Sequence, residues 1–214
     1  MADSEKRVAV LASGSGTNFL ALAEGDTFPG RVVLLITDND GCGAMEKAFS
    51  HGIEARFMDP GKFRTRFSTE AEARWVSFLQ EREIDLVCLA GFMRILKGPL
   101  LEAYAGRIMN IHPSLLPAFP GLDAQGQAFR YGAKVAGCTV HYVDAGTDTG
   151  PVIIQSPVPV LPGDTRDTLA ARILEQEHRI FPMAVKAHCE GRLRVRGRHV
   201  YIRGCETDSH KGDS

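Results

Sequence analysis

Residues 7–18 read RVAVLASGSGTN, an unbroken apolar run that stops at a glycine-rich turn. Apolar runs without polar alternation belong to strands covered on both faces, as in a parallel sheet. Residues 19–24 behind the turn have helical character, and residues 31–37 (RVVLLIT) form a second buried run, stopped by Asp38-Asn39-Asp40-Gly41. The same grammar then repeats. Residues 45–51 read as a helix, 54–58 as a short third strand and 84–90 (IDLVCLA) as a fourth. Between them, Ala71, Trp75, Phe78 and Leu79 mark the i, i+4, i+7, i+8 face of an amphipathic helix over 67–83. Strands and helices alternating at this pitch predict an α/β fold with a mainly parallel sheet and helices on both faces.

Beyond a fifth strand at 107–111 the pattern changes. Pro113, Pro117, Pro120 and Gly121 make an irregular segment, after which 135–143 and 151–160 read as strands, partly antiparallel. Residues 165–188 are expected as a closing helix, with Asp164 as its N-cap and Pro182 as a kink or break. Residues 192–196 and 200–203 suit a small terminal hairpin, and the polar residues 205–214 a flexible tail. No repeat or linker-like composition interrupts the chain, so 1–204 is read as one Rossmann-like domain.

The 214 residues suffice to bury a core, and 44% hydrophobic with 24% charged residues is ordinary for a soluble globular protein. A net charge of -1 offers no field for nucleic acid or an anionic membrane, so any anion must be held locally. The five cysteines are widely spaced with no C-x-x-C, and Cys88 and Cys138 sit in apolar runs as core residues, which suits a reducing compartment. The start, MADSEKR, has no apolar leader segment, and no run approaches the ~18 apolar residues of a membrane span. A cytoplasmic protein is expected. His112, His141, His178 and His188 lack metal-ligand spacing, so no metal is expected either.

Three motifs carry chemistry. The loop Gly14-Ser15-Gly16-Thr17-Asn18, between a strand and a helix, suits a phosphate, because backbone N–H groups and the helix dipole converge there. A dinucleotide fingerprint also wants an acid ~20 residues on. Asp38 provides the acid, but Phe19 occupies the third glycine position. A P-loop would need a lysine that the turn lacks, and a plain βα turn without ligand remains open. Asn110 and His112 end a strand at alternate positions, so both can project into the crevice beyond the strand's carboxyl end, one as an amide donor and one as a proton carrier. A capped surface histidine before Pro113 is the plainer account. The loop Val143 to Gly150 (VDAGTDTG) is either an acidic turn or a carboxylate placed to hold a histidine. His141, inside an apolar strand, is the rival histidine and reads as a supporting hydrogen-bonding residue.

Together these residues resemble the phosphoribosylglycinamide (glycinamide ribonucleotide) formyltransferase family. The runs LASGSGTN (11–18), LAGFMRIL (89–96), MNIHPSLLPAFPG (109–121), GCTVHYVDAGTDTGPVIIQ (137–155) and Gln176-Glu177-His178 carry the likeness, in order, across about residues 7–196. The resemblance implies formyl transfer from 10-formyltetrahydrofolate, a co-substrate rather than a tightly bound cofactor, to glycinamide ribonucleotide in purine synthesis. It implies an N-terminal half that binds the nucleotide and a C-terminal half that binds the folate, in a monomer or weak homodimer. By motif, Asn110, His112 and Asp148 are the implied catalytic trio, and Gly16, Thr17 and Asn18 the phosphate seat. Glu177 and Gln176 are implied at the nucleotide. Met93, Arg94, Ile95 and Leu96 are implied at the folate, mainly by backbone, with Asn110, the loop Asp144, Ala145, Gly146, Thr147 and Asp148, and Arg66 near the folate carboxylates.

The chain departs from the family after Pro120-Gly121, where relatives carry a histidine and this sequence reads Leu122-Asp123-Ala124-Gln125-Gly126-Gln127. Relatives sharing the trio include methionyl-tRNA formyltransferase, which adds a tRNA-binding domain, and formyltetrahydrofolate hydrolase, which adds a regulatory domain before the first strand. The chain length favours neither. Sugar-nucleotide acceptors, or water, remain the alternatives.

Overall fold

A computed structural model describes residues 5–204. The first apolar run forms β1 (Lys6–Leu11), and β2 (Gly30–Thr37), β3 (Glu54–Phe57), β4 (Leu86–Leu89) and β5 (Ile108–His112) run parallel to it. Direction reverses at β6 (Val135–Tyr142) and again at β7 (Val152–Pro159), and a hairpin of β8 (Leu193–Arg196) and β9 (His199–Ile202) closes the edge. The nine-stranded order is β3-β2-β1-β4-β5-β6-β7-β9-β8. After β1 the chain moves outward to β2 on one side and later returns to β4 on the other. The crevice above β1 and β4 is therefore the switch point at which such sheets bind ligands.

Alternate residues of the buried strands feed two cores. Val8 and Val10, with Leu86 and Cys88, pack under α1 (Thr17–Glu24), α2 (Gly43–Ser50), α5 (Ala124–Tyr131) and α6 (Arg166–Cys189). Ala9 and Leu11, with Val87 and Leu89, pack under α3 (Thr69–Glu81) and α4 (Pro99–Ala103), where Trp75, Leu79 and Tyr104 are fully or nearly fully buried. Period-two alternation inside all-apolar strands thus serves both faces at once. No helix among the described residues is long and apolar enough to cross a membrane.

Three expectations are corrected. Asp164 is not the N-cap of α6: Thr165 is, exchanging hydrogen bonds with Thr168 in a capping box. The Asp164 carboxylate instead pairs with Arg172 and accepts the Leu161 N–H, which holds it well below the usual carboxylate range. Pro182 does not break α6, which continues to Cys189. Ile180, Phe181, Pro182, Ala184 and Val185 are all buried, and this packing offsets the one backbone bond that proline removes. The proline ring packs on Gly25, where an added Cβ would come within 2.9 Å of it. Finally, α4 and α5 were not foreseen. The first is five residues long, and the second carries Gly126, a weak helix former, where a Cβ would overlap the Asp123 carboxylate. The expected tail, 205–214, lies outside the described residues.

Candidate active site

The reversal between β5 and β6 pairs Asn110 with His141 and His112 with Thr139. Residues opposite each other in a ladder share a face, as do alternate residues of one strand, so the four polar side chains occupy one patch. Thr139 is fully used as an anchor: its hydroxyl donates to Ser114 O (2.7 Å) and accepts from Leu116 N (3.1 Å) and Gln155 Nε2 (2.9 Å). This pins the chain where it leaves β5.

His141 is almost fully buried, and burial pushes its pKa down against the opposing pull of the Tyr142 carbonyl and Asp148. Its Nδ1 lies 2.8 Å from Tyr142 O and must donate there. The neutral ring then presents a lone pair at Nε2 to the Asn110 amide, 3.1 Å away. One Asn110 N–H is thereby fixed and the amide is oriented, which leaves its second N–H for the cleft.

Both nitrogens of His112 face acceptors. Nε2 lies 3.0 Å from Phe119 O, and Nδ1 lies 3.5 Å from Asp148 Oδ2. Asp148 takes a left-handed backbone (φ 54), a conformation that aspartate tolerates better than most residues. Its Oδ2 accepts the Gly121 N–H at 2.8 Å, and its Oδ1 lies 3.8 Å from His141 Nε2. The loop carrying it is shaped by Asp144, whose Oδ1 takes Gly146 N (3.0 Å) and Thr149 Oγ1 (2.6 Å). Arg198 of the terminal hairpin donates to Thr149 O at 2.9 Å, tying the loop to the sheet edge.

A cleft of about 420 Å³ opens above this patch. Asn110, His112 and Asp148 line it together with Met93, Arg94, Ile95, Leu96, Asp144, Gly146 and Thr147. Asn18 and Glu177 also line it. Glu177 is only 5% exposed, and burial raises its pKa while the Asn18 amide, donating at 2.6 Å, opposes the rise. Asn18 Oδ1 is buried without a partner among the described residues.

Five expected residues lie outside the lining. Gly16 is the N-cap and Thr17 the first residue of α1, whose N-terminus has no side-chain cap, and only Asn18 of that loop reaches the cleft. Gly16 (φ 76) is required by packing, since a Cβ there would stand 2.5 Å from Ala44 Cα. Gln176 accepts from Ser156 Oγ at 2.9 Å. Arg66 stacks on Phe63 at 4.0 Å beside Ile95, and Ala145 is also outside the wall.

Residues 6–185 match the formyl transferase family. The chain belongs to that family. Over 199 residues it is 43% identical to the trifunctional purine biosynthetic protein adenosine-3 of Drosophila pseudoobscura pseudoobscura, covering 91% of this chain but 14% of that protein. Over 184 residues it is 42% identical to phosphoribosylglycinamide formyltransferase of Bacillus subtilis, covering 85% of this chain and 93% of the relative. Glycinamide ribonucleotide transformylase 1 of Symbiobacterium toebii superposes with a TM-score of 0.88 at 50% identity, covering 93% and 94% of the two chains. In this member of the formyl transferase family the walls also include Leu89, Phe92, Val143 and Gln125, none of which the motifs named as ligand contacts. The strand-end rule points to Leu89 and Phe92, which flank the end of β4. Gln125 had only its departure from the family as a signal.

Proposed function

We propose that the protein transfers the formyl group of 10-formyltetrahydrofolate to the amine of glycinamide ribonucleotide, giving formylglycinamide ribonucleotide and tetrahydrofolate in purine synthesis. The observation that carries this reading is the Asn110, His112 and Asp148 cluster on the cleft floor. The Asn18–Glu177 pair and the lip segment Met93–Leu96 line the same cleft.

The nucleotide phosphate sits at the uncapped start of α1, against Gly16, Thr17 and Asn18, with Glu177 and Gln176 as further nucleotide contacts. The folate lies along Met93–Leu96 and the 144–148 loop, with Arg66 beyond the lip for its carboxylates. The neutral amine adds to the formyl carbon, and negative charge collects on the formyl oxygen. The free Asn110 N–H and the His112 ring stabilise that charge, each donor contributing about 3–4 kcal/mol. His112 exchanges the Phe119 carbonyl for the developing anion, because charge-assisted bonds are roughly twice as strong as neutral ones. Asp148, whose Oδ2 lies 3.5 Å from Nδ1, orients the ring. One proton leaves the amine and one reaches the folate nitrogen, through water or His112, as the C–N bond to folate breaks. No metal or tightly bound cofactor takes part, and the enzyme works in the cytoplasm as a monomer or weak homodimer.

The test is formyl transfer from 10-formyltetrahydrofolate to glycinamide ribonucleotide, a sugar-nucleotide amine, and water, with product identified by mass. Dominant transfer to either of the last two overturns the assignment of acceptor.

A further inference from the structure

Asp38 stands where a dinucleotide fold would place its ribose-binding acid, yet here the protein occupies both its oxygens. Oδ1 accepts the Ser13 hydroxyl at 2.6 Å, and Oδ2 accepts Arg94 Nε at 2.6 Å. The two charged side chains are 7% and 13% exposed. Arg94 also donates to the carbonyls of Phe63 (2.6 Å) and Arg64 (3.1 Å). A nearly buried ion pair is costly to desolvate and persists only with good geometry and further hydrogen bonds, which this one has.

Ser13 is the pivot. While its hydroxyl donates to Asp38, it accepts the Met93 N–H at 3.2 Å. Its carbonyl accepts from Asn39 Nδ2 at 2.9 Å, and its N–H bonds Gly91 O at 3.3 Å. One residue thus ties the loops leaving β1, β2 and β4 at the switch point. These are the glycine-rich loop, the Asp38–Gly41 turn and the folate lip. The glycine-rich loop has independent support, since Ala44 N bonds Gly14 O at 3.1 Å and Gly16 packs on Ala44. The lip depends more on the relay; its other backbone tie to a neighbouring loop is Ile95 N to Thr65 O at 3.0 Å.

We propose that Ser13, Asp38 and Arg94 form a positioning relay that sets the folate-binding backbone of residues 93–96 at a fixed distance from the phosphate loop. The proposal rests on the substrate assignment above. None of the three side chains reacts; the relay acts through where it holds Met93 and its neighbours.

The test compares Ser13→Ala with Ser13→Thr, which keeps the hydroxyl. Ser13→Ala is expected to raise the KM of the formyl donor roughly tenfold, the worth of one buried hydrogen bond at about 1.4 kcal/mol per tenfold. The acceptor KM should stay within about twofold, because the phosphate loop keeps its α2 contact. Ser13→Thr should restore the donor KM. Asp38→Asn should be worse, and adding Ser13→Ala to it should cost little more, since both act through one network. Should Asp38→Asn not fold, the serine pair alone decides. Equal rises in both KM values, an unchanged donor KM, or no rescue by threonine overturns the relay. Calorimetric titration with tetrahydrofolate alone separates the two proposals. If Ser13→Ala weakens it while the unmodified protein formylates no glycinamide ribonucleotide, the relay stands and the acceptor assignment falls.

Discussion

Glu177→Gln should make the protein more stable and less active. Glu177 is 5% exposed; among the described residues its carboxylate accepts one hydrogen bond, from Asn18 Nδ2 at 2.6 Å, and Asn18 Oδ1 beside it is buried with no donor. Burial raises the Glu177 pKa in the native state. From the ordinary glutamate value of about 4.3 up through that raised value, the folded chain holds a proton that the unfolded chain has released. Stability from this group is therefore complete below about pH 4 and is lost as pH rises through the native value. Glutamine cannot ionise, accepts from Asn18 as before, and adds an N–H for the orphaned Oδ1. Removing a buried unsatisfied acceptor is worth about 1–3 kcal/mol, or roughly 2–12 °C in Tm for a chain of this size. Differential scanning calorimetry at pH 4, 6 and 8 should show a gap between variant and parent that is small at pH 4 and widens upward. On the proposed nucleotide contact, the acceptor KM should meanwhile rise roughly tenfold or more, as a charged hydrogen bond to substrate is lost. A variant no more stable than the parent at pH 8, or a gap independent of pH, would refute this reasoning.

His112→Ala should lower kcat by about 100- to 1,000-fold with the fold intact by circular dichroism. His141→Ala should first lower Tm, by orphaning the Tyr142 carbonyl and freeing the Asn110 amide; a larger kcat loss than His112→Ala in a folded protein would exchange their roles. Gly16→Val should destabilise by more than about 2 kcal/mol, through a left-handed backbone and the clash with Ala44, so its Tm and soluble yield should fall whatever ligand is present. His188, held neutral by burial and bonded to Tyr142 Oη at 2.8 Å, should withhold stability as pH drops below about 6.5, where the unfolded chain protonates; His188→Gln should flatten that part of the Tm profile.

The parallel half of the fold was legible because RVAVLA, RVVLLIT and IDLVCLA have no polar alternation, which leaves a two-sided burial as their only use. Asn110 and His112 were legible as a pair because two-residue spacing on a strand means a shared face. What His141 does was not legible in full, since its partner depends on the β5–β6 register, and no local signal states that Asn110 lies opposite it. Asp148 was found by motif, but its contact with His112 follows from a left-handed backbone that an aspartate does not announce. The segment 122–131 hid a helix behind a glycine that packs against the Asp123 carboxylate, and a local propensity count sees the glycine without its contact. Asp164 and Thr165 are both good N-caps, and the choice fell to the longer-range pull of Arg172.

The attachment points of Asn110 and His112 are two residues apart on one strand, so the pleat sets them roughly 6.6–6.8 Å from each other. No loop movement can change that interval. Asp148 and the Phe119 carbonyl, by contrast, come from connecting segments, and insertions or substitutions there can re-aim them. In the proposed site the sheet therefore carries the ruler and the loops the adjustable jaws. Variants selected for a new amine acceptor should accumulate changes in 113–127 and 143–150 while residues 108–112 and their β6 partners stay untouched.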